Sequence, residues 1–339
     1  MKFRISAILF AAAALILAVA SCKKEETTKE DLSGSLTVKS TMPSYVKVGD
    51  RYTFVPSGVS APDGTDVGYY FYNKVKGVSD TLKNGATEYV FVVPDTLGVI
   101  SLSCTAYPIQ SADKYYAKSG SISFMVVSDD PEQGSLTDVP RSLSDETVTI
   151  EGRSYYAGRA GGRTWLRGNL SVIRRDAEGN EVFGRSFADA PAMQNIFGAY
   201  YTWEEARTAC PAGWHLPDGN EWVALLKEMG APDDLQPLQD APCGAGKLMA
   251  NGRFNGERLW DYYRGVNIEN VALSALPLGY CEIAGDKRYF LGYPDYAVFW
   301  TADEQDGKGV YRYIYKESDK VFVGLADKSG FGASVRCVK

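Results

Sequence analysis

The chain has 339 residues and a formal net charge of −6, with 42 acidic side chains against 36 basic ones and a single histidine. The absence of a basic cluster excludes a nucleic-acid partner held by phosphate contacts, and one histidine excludes any catalytic or metal site that needs two. Abundant tyrosine (22) and glycine (34), with few long apolar helical patterns, predict a mostly β protein of two folded domains.

Residues 1–21 read as a signal peptide: Lys2 and Arg4, then an apolar run from Ile5 to Ala20 broken by Ser6, then Val19-Ala20-Ser21 before Cys22. The run is shorter than the roughly 20 apolar residues a membrane span needs. Small residues directly before a cysteine resemble the bacterial lipobox, which makes Cys22 the lipid-attachment residue and the membrane a partner through its acyl chains. Residues 22–34 form a polar tether. Its acids behind Cys22 resemble the surface-export signal of some Gram-negative lipoproteins, so the expected location is the outer membrane, lipid-anchored and surface-exposed, with a periplasm-facing anchor as the alternative.

Residues 35–129 carry alternating runs at 35–39, 52–55, 67–72, 89–93, 99–106 and 121–127. Ile100, Leu102, Cys104 and Ala106 share one face, as do Ile122, Phe124 and Val126, the signature of half-buried antiparallel strands. Turn signals such as Pro62-Asp63-Gly64 and Asn84-Gly85 separate the runs, which predicts a β-sandwich. At the level of architecture the pattern resembles PKD-like and other Ig-like domains of bacterial surface proteins, which act as spacers or binding modules. Asp80-Thr81-Leu82 and Asp95-Thr96-Leu97 resemble a short O-glycosylation signature of exported proteins. Residues 130–145, with Pro131, Gly134 and Pro140, read as a linker.

Residues 146–339 open with strand-like runs at 147–150 and 154–156. Two short helices follow, each with a capping box: Thr202 with Glu205, and Asp218 with Glu221. Trp203, Ala206 and Cys210 share a face of the first; Trp222, Leu225, Leu226 and Met229 form the apolar stripe of the second. Short strands are expected at 298–301, 310–315, 320–326 and 334–338.

Trp165 with Asn169, Tyr201-Thr202-Trp203, Cys210-Pro211-Ala212-Gly213-Trp214-His215-Leu216-Pro217, Trp222, Pro277-Leu278-Gly279, Trp300 and Val335-Arg336-Cys337 occur in an order that resembles the FISUMP family of exported bacterial proteins. The resemblance covers nearly all of 146–339 and implies an α+β C-type-lectin-like fold in which these motif residues are structural. It also implies a bridge from an early helix to the last strand, Cys210–Cys337. Cys243–Cys281 is a possible second bridge, with buried thiols as the alternative.

His215 has no second histidine and reads as structural. Gly244-Ala245-Gly246-Lys247 evokes a phosphate loop, but Ala241 and Leu248 break the pattern. Asp303-Glu304-Gln305-Asp306-Gly307 is either a solvated turn or a place for a structural calcium ion; otherwise no metal and no cofactor is expected. Trp260, Tyr262, Tyr263, Tyr280, Tyr289, Tyr293 and Tyr296 lie in Gly-rich, loop-like sequence. They either pack the core or form a face that binds glycan or a surface protein. The resulting expectation is a non-enzymatic adhesion or binding lipoprotein. The alternatives are a structural component of a surface or envelope assembly and, third, an enzyme, since lectin-like folds also host formylglycine-generating oxidases, whose cysteine chemistry nothing here reproduces.

Overall fold

The computed structural model describes residues 28–339 apart from 43–44, 74–77, 83–85, 129–135, 138–145, 255–256 and 261–265. The signal segment, Cys22, the turn at Asn84-Gly85, most of the linker, Tyr262 and Tyr263 lie outside the described residues. The protein is mostly β, with four short α-helices among the described residues.

In chain order the N-terminal module contains β1 (Ser33–Lys39), β2 (Tyr45–Lys47), β3 (Arg51–Ser60), β4 (Val67–Asn73), β5 (Val78–Thr81), β6 (Tyr89–Val92), β7 (Gly98–Pro108) and β8 (Lys118–Val127). They form two sheets, β1-β3-β6 and β2-β8-β7-β4-β5, in which only β2 and β8 run parallel. Phe54 and Phe91 from the first sheet meet Phe71, Ile100, Leu102, Cys104, Phe124 and Val126 from the second. Period-two alternation puts these residues inside, and each large one contributes roughly 1.5–3 kcal/mol by leaving water.

The alternation fails at the end of β8, where Phe124, Met125, Val126 and Val127 are all at most 3% exposed. Phe124 and Val126 face the sandwich core, whereas Met125 and Val127 join the core of the C-terminal module. Tyr45 sits at the same seam, with its ring 6.1 Å from Phe187 and 6.0 Å from Phe290, both edge-on. The described piece of the linker, Leu136–Thr137, pairs with Arg253–Phe254.

The C-terminal module contains β9 (Glu146–Ile150), β10 (Arg153–Ala160), β11 (Arg163–Leu166), α1 (Pro191–Phe197), α2 (Trp203–Ala209), α3 (Gly219–Glu228), α4 (Ala245–Leu248), β12 (Tyr280–Ala284), β13 (Lys287–Leu291), β14 (Tyr296–Gln305), β15 (Lys308–Tyr315), β16 (Val321–Ala326) and β17 (Phe331–Gly332). Its main antiparallel sheets are β9-β10-β11, β13-β12-β17 and β14-β15-β16. Both expected capping boxes form, on α2 and α3. Helices α1 and α4 are additional to the sequence reading; α1 begins with Pro191 at its first turn, where a missing N–H costs nothing. Residues 333–339 form no regular strand. They thread between elements, with Ala333 bridging Tyr201, Ser334 bridging Phe299, and Val338 bridging both Trp165 and His215.

The motif residues are where a buried framework needs them. Trp165, Trp203, Trp222 and Trp300 are at most 1% exposed. The indoles of Trp165, Trp203 and Trp300 donate to the carbonyls of Ala160, Thr301 and Tyr201 at 3.0, 3.0 and 2.7 Å. Asn169 donates to the Phe197 carbonyl at the end of α1. Pro211 and Gly213 make the turn after α2, in which the Trp214 amide reaches the Pro211 carbonyl, and the Pro217 carbonyl accepts from Ala302. After Pro277, Gly279 has φ +71° and lies so close to β13 that a Cβ would meet the Leu291 carbonyl oxygen at 1.9 Å. Arg336 is fully buried and donates to the carbonyls of Leu166, Leu273 and Ser274, with its guanidinium over the Phe299 ring. Burial pushes its pKa down to about 9, still above neutrality, so the charge is retained and is shared among carbonyl dipoles.

Candidate binding face

Strands β14-β15-β16 build the most distinctive surface of the molecule. Along β15, Val310, Arg312 and Ile314 are buried on one face, while Tyr311, Tyr313 and Tyr315 line the other and are half-buried, Tyr311 and Tyr313 packing against the cluster that holds Trp300 and Val298. Arg312 can sit beneath the sheet because its guanidinium donates to the carbonyls of Gln239 and Pro237. Across the ladder, Tyr315 faces Tyr296 of β14 and Tyr313 faces Phe322 of β16. Tyr280 of β12 and Phe331 of β17 continue the row.

The rings stack on one another. Tyr296 and Tyr315 are 4.9 Å apart, as are Tyr313 and Phe322. Tyr280, Phe331 and Tyr311 form a triple stack at 5.1 Å spacings. Gly324 lies opposite Tyr311; a Cβ there would meet the ring at 2.2 Å, so only glycine lets the ring lie down. Burial holds the hydroxyls of Tyr280, Tyr311 and Tyr313 above the usual tyrosine pKa, and a hydrogen bond to Glu317 does the same for Tyr315. All four are neutral hydroxyls at pH 7, each able to donate and accept.

Of the rings picked out in the sequence, Tyr280 and Tyr296 belong to this face. Trp260 does not: it is 1% exposed, its indole donates to the Ala275 carbonyl at 2.9 Å, and it packs in the core. Tyr293 packs on Phe187 and Phe197, and Tyr289 stands exposed on the edge strand β13. Tyr311, Tyr313, Tyr315, Phe322 and Phe331 were not singled out in the sequence. The alternation Val310-Tyr311-Arg312-Tyr313-Ile314-Tyr315 is the signal that marks the three tyrosines.

The other expected features resolve into structural contacts. Cys210 and Cys337 are bridged, with Cα atoms 5.7 Å apart. Cys243 and Cys281 are not bridged: the Cys243 thiol lies 3.2 Å from the Gly230 carbonyl beyond α3, while Cys281 is enclosed in β12, where burial pushes its pKa up to about 12. Cys104 is a buried thiol of the sandwich core. His215 Nε2 is 3.0 Å from both carboxylate oxygens of Glu221, and Glu221 also meets Arg163 Nε at 3.0 Å while capping α3. The amides of Gly244 and Gly246 are taken by the Asp319 carboxylate, so the apparent phosphate loop already holds an anion of its own. Asp306 and Gly307, both at positive φ, form the two-residue turn between β14 and β15, and Glu304 is paired with Lys328. Among the described residues no three metal-ligating side chains come together.

The family model described as the Fibrobacter succinogenes major domain matches residues 159–339. No curated protein and no solved structure matches the chain.

Proposed function

Because the chain belongs to the Fibrobacter succinogenes major domain family, and because its family domain carries a pre-stacked tyrosine face, we propose that it is a non-enzymatic, cell-surface lipoprotein that docks a protein partner on β14-β15-β16. The observation that carries this reading is the continuous row of half-buried, mutually stacked rings. Stacking covers the ring faces, which suits a protein surface better than the flat stacking a sugar ring requires. Tyrosine offers large, amphipathic contact area at low entropic cost, and rings already fixed by neighbours lose little on binding. Cys22 supplies the anchor in this proposal, and no cofactor takes part.

A photo-reactive residue in place of Phe322, in the full chain on intact cells, tests it. A discrete crosslinked partner is expected, and Tyr311→Ser/Tyr313→Ser should weaken its capture by 30-fold or more, corresponding to about 2 kcal/mol for hot-spot residues. Absence of any crosslink at 322, or a crosslink unaffected by the double substitution, overturns the proposal. A crosslink to a second copy of the chain would assign it instead to a surface assembly. Cys22→Ala should release the protein from the membrane fraction.

A further inference from the structure

A second site lies away from the tyrosine face. A groove of about 600 Å3 opens between the turn joining β9 to β10 and the end of α1. Its volume falls within the roughly 300–1,000 Å3 of small-molecule sites. Tyr155 and Ser171, each 5% exposed, are among its lining residues, and their hydroxyls pair with each other. They are 3.0 Å apart, and the Ser171 amide donates to the Tyr155 oxygen at 3.1 Å. Two hydroxyl protons are present and one is spent in their mutual bond. Whichever residue donates, one proton has no acceptor among the described residues, and both residues line the groove. A buried donor left without a partner is costly, so it marks a place for an incoming oxygen.

The remaining lining narrows the ligand. Gln194 donates through Nε2 to the Ser171 carbonyl at 2.7 Å, which leaves its amide oxygen to accept. Arg153 is not available to seat an anion. Nη1 reaches the Gln194 carbonyl and Asn195 Oδ1, both at 3.1 Å, and Nη2 donates to the Asn195 carbonyl at the end of α1. Glu151, on the same rim and 3.8 Å from Arg174, disfavours an acidic ligand. Ile173 and Ile150 supply apolar wall. Hydroxyls that both donate and accept, on a ring with apolar C–H faces and no charge, match this lining.

We propose that the groove binds a short neutral saccharide through the spare Tyr155/Ser171 hydroxyl proton and the Gln194 amide oxygen. The site is independent of the tyrosine face, so either can fail without the other. The test uses the full chain with 13C-labelled isoleucine methyls, titrated with maltose, cellobiose and diacetylchitobiose, and with digalacturonate as the charged control. At least one neutral disaccharide should shift the Ile150 and Ile173 methyls saturably while Ile100, in the sandwich core, stays fixed. Tyr155→Phe and Ser171→Ala each leave one spare hydroxyl proton and should weaken binding little. The double substitution removes it and should raise Kd about five- to tenfold. Gln194→Ala, outside the buried hydroxyl pair, should also weaken binding and guards against a folding defect in the double variant. No saturable shift with any of the three neutral sugars overturns the proposal, as does an unchanged Kd in both the double variant and Gln194→Ala, or tighter binding of digalacturonate.

Discussion

Removing the Cys210–Cys337 bridge is the sharpest test of the C-terminal module. The bridge closes a loop of 127 residues that runs from the end of α2 to the final threaded segment. In the chain-entropy treatment, a loop of that size restricts the unfolded state by about 5 kcal/mol at 25 °C. That is a third or more of the stability of most domains. Cys337 is 0% exposed, so alanine is the fitting replacement because it buries no unpaired hydroxyl. Cys210→Ala/Cys337→Ala should therefore lower the unfolding free energy by about 3–5 kcal/mol in urea titrations followed by tryptophan fluorescence. Reductant alone should act slowly on the native protein, because a buried sulfur is reached only after local opening. A loss below about 1 kcal/mol would refute the reasoning, as would recovery of alkylated Cys210 from the non-reduced native protein.

Gly324→Ala should displace the Tyr311 ring, break its stack on Phe331 and cost about 1–3 kcal/mol by overpacking; thermal unfolding and aromatic NMR shifts would read both effects. Trp260→Ala should cost about 3–5 kcal/mol and resemble a core deletion rather than a surface change, as measured by denaturant midpoint. The Asp327 carboxylate accepts from the Gly330 and Ser329 amides and the Ser329 hydroxyl, so its folded pKa lies below the ordinary 3.8. Its contribution is present above the unfolded pKa and lost as pH falls through the lower folded value, and carboxyl-carbon NMR should place its midpoint below 3.8.

Six strands of the N-terminal module were legible because burial of one face leaves period two in the sequence, whereas β2 and β5 were not among the alternating runs. Both capping boxes were legible because they are local. The tyrosine face was half legible: residues 310–315 alternate as a strand must, but the stack is completed by Tyr280 and Phe331, which only the chain's return through β12 and β17 brings alongside. Asp319 filling the Gly244–Gly246 amides is a contact across some 75 residues and leaves no local trace. For Trp260 the core-packing alternative holds: its glycine-rich flanks suggest a loop, but a loop residue can be swallowed whole when its indole finds a carbonyl. The run Phe124-Met125-Val126-Val127 was apolar without interruption, the mark of a strand covered on both sides, though what covers the second side is visible only in three dimensions.

That two-sided burial has a hydrodynamic consequence. With Met125, Val127 and Tyr45 sunk into the neighbouring module's core, the two modules cannot reorient as beads on a string. They should tumble with one rotational correlation time, set by their combined mass, and relaxation rates measured on either should agree. Tyr45→Ala would loosen the seam and let the two rates separate, turning a shared diffusion tensor into two.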